Sequence, residues 1–265
     1  VTDDFAMEVS VNYTNNDSQV VATNDTDGNI SLDEPRERTL RVTQIVGERY
    51  GALFGTYFNR DDQGRIIHEM SQGYPRPSIN TSRKILGFGV PPKQLGIGAS
   101  FRYKNFNASF LVEGKSGGQI FSGTNVRLIG YGLHQMTVPA GGREAGFVPD
   151  GVLEDGTPVT QSLDYTQQQN YWGRYNDVAE AGIYDSDYFR MRQMQIGYTF
   201  PKDMLEGTFI EGASVSLIGK NLFFISNSVD NVDPESAYNN NNSQGLEFAG
   251  MPVPSTVGLN VNLKF

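Results

Sequence analysis

The sequence has no cysteine among its 265 residues. That removes disulfide frameworks, thiolate zinc sites and cysteine nucleophiles together. It has no apolar run near the ~20 residues that a membrane-spanning helix needs. Helical spans are therefore excluded, whereas a β-barrel stays open, because its membrane signal is hidden in alternation. A basic excess is missing as well. Lys and Arg number 21 against 30 Asp and Glu, for a formal net charge of -9. A nucleic-acid partner would require a basic stripe, so that class is set aside. Histidine is scarce: His68 and His134 are the only two. They lie far apart without ligand spacing, which argues against a metal or catalytic role. No G-x-S-x-G elbow and no P-loop occurs. The loop carboxylates offer no pair that stands out as an acid/base couple. The chain therefore reads as a non-enzyme without a cofactor. It begins on Val1 with no signal peptide ahead, and is expected to be a mature chain or a fragment.

What is present points to strands. Gly 30, Tyr 13 and Phe 16 suit β structure with many turns, although a mean hydropathy of -0.41 taken alone describes a soluble protein. Period-two alternation recurs. Phe5, Met7, Val9, Val11 and Tyr13 take one parity. Leu95, Ile97, Ala99, Phe101 and Tyr103 repeat it, as do Phe106, Ala108, Phe110 and Val112. Met194, Ile196, Tyr198 and Phe200 follow, then Ala213, Val215 and Leu217. The ending VGLNVNLKF is the strictest case, with Val257, Leu259, Val261, Leu263 and Phe265 against Gly258, Asn260, Asn262 and Lys264. Six strands are expected at 5–14, 94–103, 106–115, 188–200, 213–225 and 254–265. Further short ones are possible near 39–47, 50–58 and 65–70. No convincing amphipathic helix is seen.

The links alternate in length. KNFN at 104–107 is tight and 201–212 is modest, whereas 15–93, 116–187 and 226–253 are long and polar. Long structureless loops are unusual in compact soluble domains. Transmembrane barrels do have short periplasmic turns and long outer loops. Under that orientation Phe5, Tyr103, Phe106, Tyr198, Phe200 and Phe265 all fall at the periplasmic strand ends, as an interfacial aromatic girdle requires. Alternation alone does not decide the medium, since a soluble antiparallel sandwich satisfies the same period.

Several stretches have the residue types of a site. TNDTDGNISLDE at 23–34 places Asp25, Asp27, Gly28 and Glu34 at calcium-loop positions. Its first position is Thr23 rather than Asp, and an Asx-rich surface turn explains it more simply. RDDQGR at 60–65 reads as a hairpin turn around Gln63 and Gly64. Tyr171, Trp172 and Tyr175 in NYWGRY could stack on a ligand or partner, but packing of the loop is the simpler expectation. NNNNSQG at 239–245 reads as a solvated loop tip.

Together the motifs resemble the C-terminal part of the SusC/RagA family of TonB-dependent outer-membrane transporters of Bacteroidetes. The stretches carrying the resemblance are VGERYGALFGTYFNRDDQGRI (46–66), LGIGASFRYKNFNASFLVEGKSGGQIFSG (95–123) and DYFRMRQMQIGYTFP (187–201). LIGKNLFFIS (217–226) with VDPE (232–235), and PSTVGLNVNLKF (254–265), complete them. Asn105 and Lys220 depart from residues common in the family. The resemblance implies an all-β, antiparallel transmembrane barrel, of which 1–265 would be the C-terminal portion. Such barrels have 22 strands and a plugged lumen. The plug and the TonB-contacting segment are absent from this sequence. The resemblance further implies import of an oligosaccharide or peptide, TonB-derived energy, a SusD-like surface lipoprotein lid and contact with outer-membrane lipid. The C-terminus would be periplasmic and the long loops extracellular. Phe265 would then resemble the terminal aromatic read by the outer-membrane assembly machinery. The alternatives are a soluble secreted sandwich that binds glycans and a passive porin.

Overall fold

The computed structural model describes residues 4–24, 28–33, 36, 39–236, 238, 239 and 241–265. In chain order the first elements are β1 (Phe5–Asn15), β2 (Asn29–Asp33), β3 (Leu40–Ile45), β4 (Ala52–Phe58), β5 (Ile67–Ser71) and β6 (Tyr74–Pro77). Next come β7 (Ile79–Phe88), β8 (Lys93–Tyr103), β9 (Phe106–Ser116), β10 (Gln119–Ser122) and α1 (Gly123–Gly130). β11 (Val152–Leu153), α2 (Tyr165–Gly173), β12 (Ile183–Asp185) and β13 (Tyr188–Thr199) follow. β14 (Gly212–Asn227), β15 (Leu246–Glu247) and β16 (Thr256–Lys264) close the chain.

The six alternating stretches pair into one antiparallel sheet of order β1-β8-β9-β13-β14-β16. Register keeps the parities together across the whole sheet. Met7, Phe101, Ala108, Ile196, Leu217 and Leu259 form one transverse row. Ala6, Arg102, Asn107, Gly197, Ser216 and Asn260 form the neighbouring row on the opposite face. One face is therefore apolar and the other mostly polar, with Ala6, Leu111, Ile218 and Phe224 among the apolar residues on the polar side. Among the described residues no second layer covers the apolar face. Met7, Val9, Val11, Ile196, Leu217, Leu259 and Val261 all stand exposed. Burying one such side chain is worth about 1.5–3 kcal/mol, so row upon row left in water would be prohibitive. Such a face calls for a cover that the described residues do not supply. A sandwich would need a second sheet on that face, and none packs there among the described residues.

The strand β13 carries a correction of phase. A bulge between Met191 and Gln193 inserts Arg192 into the ladder with β9. Without it, Arg190 and Arg192 would share the parity of Met194 and Ile196 and face the apolar side. With it, Arg190 lies opposite Glu113 on the polar side, and Gln193 resumes that side opposite Leu111. Bulges re-aim side chains in this way. Phe189 packs over Gly114, where an added Cβ would lie 2.5 Å from the ring. Glycine is required there by close approach rather than by backbone angle.

The long connections are not structureless. They fold into a cap of three smaller sheets, β2-β3-β4-β7, β11-β5-β6 and β12-β10-β15. β3, β4 and β5 match the short strands expected from the sequence, whereas β7 lies in a stretch read as loop. Two cores stabilise the cap. Leu40, Val42, Leu53, Phe121, Val126, Ala179 and Leu246 form one. Phe58, Tyr74, Ile129, Leu163, Tyr171, Trp172, Tyr175 and Val178 form the other. Each core draws on more than one long connection. The expectation of no helix is corrected: α1 and α2 are short and signalled by caps rather than by an apolar stripe. Ser122 Oγ accepts from Asn125 N at 3.1 Å. Asp164 and Gln167 form a full capping box at the start of α2. The hairpin around Gln63 and Gly64 is present, with Gly64 at φ +81 and Asp61 Oδ1 accepting from the Gln63 and Arg65 amides. The 239–245 segment is corrected from a solvated tip. Asn241, Asn242 and Gln244 are exposed, but Ser243 is buried and donates to Asp33. Asn239 also donates to Asp33, which pins the segment to β2.

Candidate functional site

The polar face of the sheet is the side on which charge collects. At the cap end, β13 sends Tyr188, Arg190 and Arg192 toward the link between β14 and β15, which folds back over them. In that link Asp233 and Glu235 bracket Pro234. Arg190 Nη2 donates to Asp233 Oδ2 at 3.0 Å, and its Nη1 donates to Glu235. Arg192 donates from Nη1 and Nη2 to Glu235 at 3.0 and 2.7 Å. It also donates to Glu113 Oε2 at 2.6 Å and to Asn221 Oδ1 at 2.8 Å. Tyr188 Oη donates to Glu235 Oε1 at 2.7 Å. The Arg190 guanidinium also lies 4.1 Å from the centroid of the Phe224 ring.

This cluster is buried: the Arg190 and Asp233 side chains are 5% and 2% exposed. Burying charge is costly unless every member is paired. Here the carboxylates pair with the Nη groups of both arginines, the buried Arg190 Nε alone of that guanidinium being left without a partner among the described residues, and Asp233 also accepts from the Glu235 and Val253 amides at 2.9 and 3.0 Å. Burial opposes ionisation of Glu235. Hydrogen bonds from Arg192, Tyr188 and Arg190 outweigh it and hold the carboxyl down at about 2. The cluster thus pins the β14–β15 link to β13 through several charged contacts.

Beside it lies a cavity of about 260 Å³, bordered by Lys115, Gln119, Tyr188, Glu235, Asn239 and Gln244 among others. The walls are mostly amides, hydroxyls and charged groups. They can hydrogen-bond a polar ligand. Among the described residues no group of three or more His, Asp or Glu could hold a metal ion.

The sequence-derived sites are placed as follows. Phe5, Tyr103, Phe106 and Tyr198 stand side by side across four strands at one end of the sheet. Phe106 and Tyr198 meet edge to face at 4.8 Å, and Tyr198 and Phe200 at 5.3 Å. Phe265 stacks on Phe209 at 5.7 Å. Phe209, in the 200–211 link, belongs to no alternating run and was not singled out. Tyr171, Trp172 and Tyr175 are buried in the cap core, with ring centroids 5.0–5.9 Å apart. Burial raises the Tyr171 and Tyr175 hydroxyl pKa values. His68 is buried with Nε2 3.2 Å from Tyr171 Oη, and burial pushes its imidazole down toward the neutral form. His134 caps the 3-10 turn Gln135–Thr137. Asp25, Asp27 and Glu34 lie outside the described residues. The arginine cluster was missed because its partners lie 43 and 45 residues apart in the chain. No local signal marks it, since only the bulge in the folded strand brings Arg190 to the polar face.

A strip of six antiparallel strands, apolar on one face and polar on the other, with a folded cap at one end, defines the class of structure. No family model matches the chain. It is 25% identical to TonB-dependent receptor P3 of Formosa agariphila over a 286-position alignment, covering 99% of this chain and 27% of the receptor. It is 24% identical to TonB-dependent receptor P26 of the same organism, over 68% of this chain and 18% of that one. Among solved structures it matches the RagAB peptide transporter with a TM-score of 0.63, 14% identity and full coverage of this chain, 28% of the other. The RagAB peptide importer in its closed-closed state gives a TM-score of 0.66 at 13% identity, with 100% of this chain and 28% of that one covered. The chain therefore resembles TonB-dependent receptors over its whole length and shares the fold of the corresponding part of RagAB. It spans about a quarter of the length of these relatives.

Proposed function

We propose that this chain is the C-terminal section of the barrel wall of an outer-membrane importer. The observation that carries the reading is the six-stranded sheet with one uncovered apolar face and one polar face. The apolar side meets lipid, and the polar side lines the route of an oligosaccharide or peptide. The similarity to TonB-dependent receptors supports TonB-derived energy, delivered through a plug, and the RagAB likeness supports a SusD-like lipoprotein lid over the mouth. Phe5, Tyr103, Phe106, Tyr198, Phe200 and Phe265 form the periplasmic girdle, so the C-terminus is periplasmic and the cap extracellular. Phe265 also serves as the assembly signal. No step of catalysis is involved: the wall binds, orients and admits.

The test has two parts. The protein extracted in detergent should migrate differently on a gel before and after heating; a protein that stays soluble without detergent would sink the membrane reading. Uptake should stop when TonB is removed. Uptake that continues unchanged would mean a passive porin.

A further inference from the structure

The cavity beside Glu235 sits where the sheet meets the cap. Lys115 of β9 and Tyr188 of β13 bring the polar face to it, and each of the three long connections supplies part of its lining. Its sides are fixed. Gln119 Oε1 accepts from Phe88 N at 2.9 Å, and its Nε2 donates to Asp185 Oδ1 at 3.2 Å. Asn239 and Ser243 donate to Asp33. Gly89 and Gly245 let two connections cross closely, and neither position has room for a Cβ. One on Gly89 would strike Gln244 O, and one on Gly245 would strike Gly89 Cα. At about 260 Å³ the space falls just short of the ~300 Å³ at which pockets for whole small ligands begin, so it suits one unit of a longer molecule.

Within these walls the charges are unevenly engaged. Glu235 accepts four hydrogen bonds, and Glu113 accepts from Arg192. Lys115 lines the same cavity and makes no ion pair or hydrogen bond among the described residues. Ser186 is only 9% exposed, and its hydroxyl has no partner among them either. Lys115, Arg190 and Arg192 balance Glu113, Asp233 and Glu235, so the neighbourhood carries no net charge. It carries instead one bare ammonium whose neighbouring acids are already engaged. An ammonium only donates, and a carboxylate only accepts. The other lining groups without partners are the side-chain amides of Asn241 and Gln244. Each amide both donates and accepts, as the vicinal hydroxyls of a sugar do. Ile120 and Leu246, each 2% exposed, offer no apolar wall to a peptide side chain.

Resting on the reading that the polar face borders the route of an imported molecule, we infer that this cavity is a subsite for an acidic sugar unit. The Lys115 ammonium and the Ser186 hydroxyl donate to its carboxylate, and the Asn241 and Gln244 amides hold its hydroxyls.

The experiment uses the full-length protein in detergent and saturation-transfer NMR with four probes. Two are methyl glucuronide and its neutral twin, methyl glucoside. Two are end-capped tripeptides, Gly-Asp-Gly and Gly-Asn-Gly. The glucuronide should bind at least ~10-fold tighter than the glucoside, the worth of one charge-assisted hydrogen bond. Lys115→Met should abolish that preference and leave glucoside binding and the heat-modifiable band unchanged. Lys220→Met removes the same charge from a position opposite Gln193, outside the cavity lining, and should keep the preference. Equal affinity for the two sugars in the unsubstituted protein would overturn the inference, as would a preference that survives Lys115→Met. A preference shown by the peptide pair alone would overturn the assignment to a sugar. Binding of none of the four would overturn the subsite altogether. The importer reading is judged separately, by the gel shift and by TonB-dependent uptake, so the two can fail apart.

Discussion

Removing the Glu235 carboxylate should release the β14–β15 link from the wall. In the Glu235→Ala variant four hydrogen bonds vanish, one from Tyr188, one from Arg190 and two from Arg192. Breaking a buried pair by removing one partner costs about 3–5 kcal/mol, because the other charge is left uncompensated. Arg190 keeps Asp233, and Arg192 keeps Glu113 and Asn221. The loss therefore sits at the low end, about 3 kcal/mol, or on the order of 100-fold in the local opening constant. Hydrogen exchange at the Val253 amide, which donates to Asp233, reads that opening directly. The control is Glu211→Ala. Its pair with Lys264 spans 3.5 Å between exposed side chains and should be worth no more than about 0.5 kcal/mol. If Val253 exchanges no faster in Glu235→Ala than in Glu211→Ala, the cluster does not hold the link and the reasoning fails. Acid gives a second check. The carboxyl of Glu235 is held at about 2, below its ordinary 4.5. A depressed pKa contributes stability in full above the ordinary value and loses it as pH falls through the folded one. Protection of Val253 should be level above about pH 5 and decline between 4.5 and 2.

Three further outcomes follow from the same structure. Leu259→Lys places a charge on the apolar face and should cost about 2–4 kcal/mol of folding in lipid; the neighbouring Asn260→Lys, on the polar face, should leave the heat-modifiable fraction unchanged. Phe121→Ala empties a fully buried site in the cap core and should cost about 3–5 kcal/mol. Protease should then cut the cap while the gel shift of the wall persists, and equal resistance in both proteins would contradict the core assignment. Deleting Phe265 should lower the yield of inserted protein; normal insertion would leave it as one girdle ring among several.

The six-stranded sheet was legible in the sequence because strands with one apolar and one polar face must alternate, and the register then follows from parity. Even so, β13 hid its first half. Arg190 and Arg192 share their parity with Met194 and Ile196, and only the bulge at Arg192 separates them. No local rule announces an extra residue in a ladder. The cap was much less legible. β7, in INTSRKILGF, alternates poorly because it is half-buried along most of its length. The helices α1 and α2 are too short for a stripe and show only their caps, Ser122 and Asp164. The Arg190–Asp233 and Arg190–Glu235 pairs join residues that approach only after β14 has turned back, so spacing carried no trace of them. The aromatic run at 171–175 stood out as unusual, but its burial depended on Phe58, Tyr74 and Leu163 arriving from elsewhere.

The shared cores of the cap have a consequence for chimeras. Leu40 and Leu53 come from the first long connection, Phe121 and Ala179 from the second, and Leu246 from the third, yet they pack as one body. A transplant of any single connection onto a foreign wall would arrive with half an interior and no counterpart to close it. The three must travel together, as one graft on six stems, and a change to any one of them must be matched in the others while the sheet beneath stays as it is.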